Sequence, residues 1–187
     1  MAKRQLEQDG RRTKWRNPVL RFEESCRAPA QVVYELLADL QSHLEWGGRR
    51  QFETTRLLTM QAPPGPAGVG TEFFTTGSDG KVAQWSDRSV VTEATSPEVF
   101  EFVTEGRRQG KSGSRPWLST AVHRYEIAPG SGGCQVIYTE ELTRLTGAPR
   151  ILLAPGINRI MFQISAKYMR RGFQALLAVA EERSGTK

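Results

Sequence analysis

The stretch from about Pro155 to Arg183 constrains the fold more than any other part of this chain. Apolar residues fall at Ile157, Ile160, Met161, Ile164, Tyr168, Ala175, Leu176 and Val179, with the small Gly172 in line. Arg159, Gln163, Lys167, Arg170, Arg171 and Gln174 take the opposite side. This spacing predicts an amphipathic helix of roughly 25–29 residues, about 40 Å long. Such a helix must bury one face, and nearly everything before it reads as strand.

The strand segments lie near 49–60, 69–77, 81–95, 98–106, 116–128 and 134–145. Turn chemistry separates them: Ala62-Pro63-Pro64-Gly65-Pro66-Ala67-Gly68, Ser78-Asp79-Gly80, Ser96-Pro97, Gln109 to Ser114, and Pro129-Gly130-Ser131-Gly132-Gly133. Consecutive strands with short connections predict an antiparallel meander rather than βαβ units. A further strand runs from Val19 to Cys26, with Leu20 and Phe22 on one face. After it, Val32, Val33, Leu36 and Leu37 have helical spacing, and Pro29 sits where a first turn tolerates proline. A second short helix is expected from about Leu40 to Glu45, stopped by Gly47 and Gly48 after Trp46. The order is strand, two short helices, six strands, long helix. Only the concave side of the sheet is available to cover the long helix.

The chain has 187 residues, enough for one domain with a core of its own. The expected division is a basic arm over 1–16 and a single domain over 17–187. No apolar run approaches a membrane span, and the arm lacks the apolar centre of a secretory signal, so a cytoplasmic location is expected. The net charge of +6 sits at the ends: +4 over 1–16, +5 over 150–187 and −3 between. The two cysteines, Cys26 and Cys134, fit no zinc or redox spacing and are expected to be free. No His/Cys/Asp cluster has metal spacing, no phosphate-binding glycine loop or serine-nucleophile motif is present, and no cofactor or metal is expected.

Several local patterns, taken in order, resemble the SRPBCC superfamily of START-like domains, polyketide cyclase/dehydrases and lipid-transport proteins. They are Cys26 to Asp39 with Trp46 following, Val69-Gly70-Thr71, Trp85 with Val90 and Val91, and His123 to Ile127 followed by Gly132 to Val136. The resemblance covers about 18–183. It implies an α+β helix-grip fold: a curved seven-stranded antiparallel sheet wrapped around a long C-terminal helix, with two short helices between strands 1 and 2. It also implies a cavity between sheet and helix, and a first strand paired with the last, which would bring Cys26 near Cys134. It identifies no ligand, because this fold serves many activities.

Alternation along the strands supplies candidate cavity residues. Trp117, Ser119, Ala121, His123, Tyr125 and Ile127 share a face; so do Phe100 and Phe102, and Val136, Tyr138, Glu140 and Leu142. Trp85 and Arg88 have opposite parity. Candidate ligand-binding residues are Trp46, Phe73, Trp85, Phe100, Phe102, Trp117, His123, Tyr125 and Tyr138, with Met161, Ile164 and Tyr168 as the helix's contribution to the roof. No catalytic residue is assigned. The candidates for proton transfer are His123, Tyr125 and Glu140, with Glu140 able to orient His123 if their strands pair suitably. Glu140 and Glu141 point to opposite faces and cannot act as a pair on one substrate. His43, at the helix–helix turn, is expected to be solvated.

Three functions compete on these residues. The first is binding, with or without transport, of a hydrophobic small molecule such as a lipid, quinone or polyketide, with the basic ends offering peripheral contact with an anionic membrane. The second is an aromatase/cyclase-type enzyme working by acid–base catalysis. The third is a nucleic-acid or protein-interaction module on the basic helix face; nucleic acid ranks last because no aromatics interleave with those cations. Oligomeric state is left open.

Overall fold

In the computed structural model, the structure describes residues 18–53, 55–79, 83–109, 116–148 and 154–185. The basic arm expected over 1–16 lies outside the described residues. The elements are β1 (Val19–Cys26), α1 (Ala30–Ala38), a 3-10 turn (Leu40–Ser42), a π-helical turn (Leu44–Arg49), β2 (Thr55–Gln61), β3 (Glu72–Asp79), β4 (Ala83–Thr95), β5 (Val99–Gln109), β6 (Trp117–Gly130), β7 (Gly133–Thr146) and α2 (Pro155–Ser184). The seven strands form one sheet in the order β1-β7-β6-β5-β4-β3-β2, and every neighbouring pair is antiparallel. The fold is the helix-grip fold.

The first strand pairs with the last, which places Cys26 directly opposite Cys134. Both are buried free thiols, and burial pushes the Cys134 thiol up to about 12. Register fixes the faces, since directly paired residues point to the same side. Leu20, Phe22, Tyr138, Tyr125, Phe100, Phe102, Phe73 and Val91 are all buried on the concave side. Arg88 and Arg124 stand on the convex side, where Arg88 pairs with Glu72 and Glu105, and Arg124 with Glu93, Glu101 and Glu126. Register shifts between Val91 and Glu93 on β4, and opposite Thr120 and Ala121 on β6, bend the long strands around the core.

α2 is as long as its pattern predicts, and Gly172, Ala175, Leu176 and Val179 of the expected face are buried, but the N-terminal part of that face is not. Phe173, Leu176, Leu177, Val179 and Ala180 are buried, with Met169 packed beside them, whereas Ile160 and Ile164 are 58% and 47% exposed. The reason is helical phase. At about 100° per residue, Ile164 lies about 120° around the axis from Leu176, and about 180° from Phe173. A stripe spaced mainly by fours drifts off a straight helix over this length. The C-terminal half is clamped: Phe173 stacks on Phe22 and Tyr138, Arg27 pairs with Glu181, and Arg50 pairs with Glu182.

The connection after α1 also departs from expectation. Gly47 and Gly48 do not end a helix; the backbone runs through them as a π-turn to Arg49, and β2 begins only at Thr55. Gly48 lies against the Leu57 carbonyl, where a Cβ would stand 2.9 Å away, so the glycine permits this approach. His43, expected in solvent, is buried, and its Nε2–H donates to the Leu37 carbonyl at 2.9 Å. Burial lowers its pKa to about 4.

A histidine held neutral in the fold takes up a proton more readily when unfolded. The stability it confers is therefore present above its ordinary pKa of 6.5 and is lost as pH falls toward 4. His43→Gln can keep an N–H donor for Leu37 and removes this titration. Its stability relative to the parent, measured by urea unfolding, should rise by about 2 kcal/mol between pH 7 and pH 5. A difference independent of pH would show that His43 does not titrate in this way.

Candidate functional site

The concave face has two ends of different character. At one, beneath α1 and the C-terminal half of α2, Phe100, Tyr125, Ile127, Cys134 and Val136 are sealed. Toward the other, inward-pointing side chains keep accessible surface: Trp85 and Asp87 on β4, Trp117, Ser119 and His123 on β6, and Glu140, Leu142 and Leu145 on β7 are only half-buried. These groups belong to the inner face by register, yet the helix does not seal them.

His123 sits where the two ends meet. It pairs directly with Phe102 on β5 and Glu140 on β7. Its ring stacks on Phe102 at 4.8 Å with a 17° tilt, and its Nδ1 lies 2.8 Å from the Tyr138 hydroxyl. That hydroxyl donates to Glu140 Oε2 at 3.2 Å. With the tyrosine proton directed to the carboxylate, Nδ1–H of His123 donates to the tyrosine oxygen and Nε2 keeps a free lone pair. Burial lowers the His123 pKa, opposed by the Glu140 charge, so the ring is neutral at pH 7. Burial raises Tyr125 and Tyr138, with the Glu140 charge adding to the effect, so both remain phenols. His123 and Glu140, paired across β6 and β7, are thus linked through the Tyr138 hydroxyl. Such a chain can accept a hydrogen bond or a proton at Nε2, and can spread the resulting positive charge toward a carboxylate.

Trp85 and Trp117 occupy the open end. The Trp85 ring lies over Gly77 of β3, where any side chain would collide with it. Asp87 shares its face two residues on, a position that alternation from Trp85 could have revealed. Burial raises its pKa to about 7; the Arg108 charge opposes the shift, and Asp79 and Glu140 add to it. Arg108 itself pairs with Asp79 at 2.7 Å.

The other candidates divide. Phe73 and Phe102 meet edge to face at 5.4 Å, and Tyr125 packs on Tyr138 at 4.7 Å. Phe100 is fully buried in the core. Trp46 is buried against His43 at 4.5 Å, and its indole N–H has no hydrogen-bond partner. Tyr168 contacts Phe52 at 5.2 Å rather than the concave strands' aromatics. Ile164 is exposed, and the side chain of Met161 lies outside the described residues. Of the basic helix residues, Arg171 stacks over Phe52 at 4.1 Å and Arg170 over Phe22 at 5.1 Å, so both are engaged in packing. A separate groove of about 490 Å³ runs between α1 and the loop 63–66, lined by Tyr34, Asp39, Leu40, Pro63 and Pro66 among others; none of the half-buried concave residues reaches it. Among the described residues there is no His/Cys/Asp/Glu group suited to a metal ion, and no helix long and apolar enough to cross a membrane.

A carboxyl whose pKa is raised by folding binds its proton more tightly in the native state. The stability it confers holds at low pH and declines as pH rises through about 7. Asp87→Asn, which has no such charge to bury, should therefore gain on the parent by on the order of 2 kcal/mol between pH 5 and pH 8. Thermal unfolding followed by circular dichroism at both pH values measures this. A constant difference would contradict the raised pKa.

No family model matches the chain, and no curated protein matches it in sequence. Solved structures do match in shape. A protein from Rhizobium leguminosarum superposes with a TM-score of 0.62 at 14% identity, covering 89% of this chain and 96% of that one. A conserved protein from Geobacillus kaustophilus gives 0.62 at 15% identity, with the same coverage. Ara h 8.0201 gives 0.57 at 13% identity, covering 89% of this chain and 99% of that one. At these identities the likeness establishes the helix-grip architecture, and the chemistry must be read from this chain's own side chains.

Proposed function

We propose that the protein binds a small hydrophobic molecule in the hollow between the open end of the sheet and α2. One observation carries this reading: Trp85, Trp117, His123 and Glu140 face the concave side yet keep accessible surface, while the aromatics beside them are sealed. Large aromatic rings left unsealed on an inner wall provide area that a ligand can cover, worth about 25 cal/mol per Å² before ordering costs. The few polar groups among them are of the kind that orient a ligand.

A second reading, acid–base catalysis on the bound molecule, is favoured by the His123–Tyr138–Glu140 chain. A neutral imidazole with a free Nε2 and a relayed carboxylate is equipped to take a proton from an acidic C–H or phenol. Tyr125 stays protonated beside it and contributes packing rather than a base.

Binding of the uncharged fluorophore N-phenylnaphthylamine tests the first reading. Trp117→Ala should weaken it about tenfold, whereas Arg88→Ala on the convex face should leave it unchanged. Equal effects from both, or no binding by the parent, would refute the proposed location. Native mass spectrometry, with extraction of any co-purifying molecule, supplies the substrate for the second reading. His123→Phe should then abolish conversion while retaining binding; loss of binding alone would make His123 a wall residue.

A further inference from the structure

We propose that Asp87 and Ser119, meeting over Gly106, form a second polar station in the hollow, and that with the His123–Tyr138–Glu140 chain it selects an uncharged, hydroxylated aromatic ligand over a carboxylate. This inference rests on the concave hollow being the binding site. Register places Asp87 of β4, Gly106 of β5 and Ser119 of β6 in one row across the sheet. A Cβ on residue 106 would stand 2.8 Å from Ser119 Oγ and 2.9 Å from Asp87 Oδ1. Both oxygens therefore reach over the bare glycine toward the same patch. Among the described residues neither side chain makes a hydrogen bond. Two half-buried polar groups of this kind gain from an incoming partner, because an unmet hydrogen bond in a desolvated wall is costly.

The charges around the patch define what that partner can be. Asp79 from β3, Arg108 from β5 and Glu140 from β7 all act on Asp87, and the one cation among them is paired with Asp79. The wall is thus short of positive charge. A ligand carboxylate would meet repulsion from Asp87 and Glu140, whereas a phenolic or alcoholic hydroxyl could donate to either. Ser119 and His123 lie four residues apart on one strand face, roughly 13 Å along β6. Between the two stations runs the row Leu142, Ala121, Thr104, Ser89 and Phe73, in which the Ser89 and Thr104 hydroxyls satisfy each other at 2.9 Å and the remainder is apolar; Phe102 lies opposite His123, and Trp85 and Trp117 follow beyond the Asp87–Ser119 row. A flat molecule with an oxygen function at each end matches this spacing, and its rings match the aromatic walls.

The test compares three competitors for N-phenylnaphthylamine at pH 8: a dihydroxyanthraquinone with hydroxyls on opposite end rings, unsubstituted anthraquinone, and oleate. The diol should bind about tenfold more tightly than the bare quinone, and oleate should bind most weakly. Asp87→Asn should erase most of the diol's advantage and improve oleate binding, a change of preference that loss of structure would not produce. Ser119→Ala should weaken the diol alone. Circular dichroism melting would show that both variants are folded. Equal binding of diol and quinone, or an unchanged preference in Asp87→Asn, overturns this inference while leaving the hollow as a binding site. Failure of the fluorophore and all three competitors to bind overturns the site and the inference together.

Discussion

A seven-stranded sheet curled into a half-barrel has one large inner face, and water must be kept from its apolar part by whatever the chain can lay across it. Here the cover is α1, the turns that follow it, and the C-terminal half of α2, whose Phe173, Leu176 and Ala180 are held against the sheet side of the molecule. That cover is fastened at its far end by Arg27–Glu181 and Arg50–Glu182, partly exposed pairs whose contribution is modest beside the burial of Phe173 and its neighbours. Toward its N-terminus from Met169 the helix continues, but Ile160 and Ile164 there are exposed. Where the apolar cover ends, Trp85, Trp117, Ser119 and His123 begin to show surface. The accessible surface on these inner residues thus goes with helical phase, which turns Ile160 and Ile164 outward where the stripe would have continued.

Tyr138 links this packing to the chemistry. Its ring is fully buried, stacked with Phe22 and Phe173 and tilted against Tyr125. Its hydroxyl emerges at the boundary between the sealed and open ends, touching His123 and Glu140. A phenol fixed by so much aromatic contact loses little further freedom in holding its hydrogen bonds, so the histidine is oriented by the core rather than by a flexible surface group. The same low-polarity surroundings that seal Tyr138 keep its proton on and keep His123 neutral. Neutrality at His123 leaves Nε2 available, while the Glu140 charge remains nearby to favour a proton arriving there.

Much of this architecture is legible in the chain itself, because antiparallel strands and their turns leave short-range signals. Alternation places Trp117, Ser119, Ala121, His123, Tyr125 and Ile127 on one face, and the register confirms that they share it. What alternation does not supply is which face turns inward, or what each residue meets across the sheet. The contact of His123 with Tyr138 depends on β6–β7 register, and the meeting of Asp87 with Ser119 depends on three strands at once. Helix α2 illustrates a different limit. Eight apolar residues read as one stripe, but steps of four each overshoot a full turn by about 40°, so over a helix of 30 residues Ile164 and Leu176 come to stand about 120° apart. His43 was misplaced for a related reason: a polar residue in a turn reads as exposed unless its partner is known, and that partner is a backbone carbonyl six residues earlier.

Asp87 and His43 show how one fold can spend burial in two opposite ways. Each is enclosed enough to disfavour charge, so enclosure raises the acid and lowers the base. His43 answers the cost by donating to Leu37 and packing on Trp46. Asp87 differs: Arg108, the cation acting on it, is paired with Asp79, and its Oδ1 stands over Gly106 facing the Ser119 hydroxyl. A core with no further purpose would gain by replacing this carboxyl with an apolar group, since the raised pKa makes it a standing cost near neutral pH. Its retention on the one part of the inner wall that stays open is therefore easiest to account for if something other than the folded chain completes its hydrogen bonds. The sealed histidine serves the fold, and the proposed ligand site gives the half-buried aspartate its use.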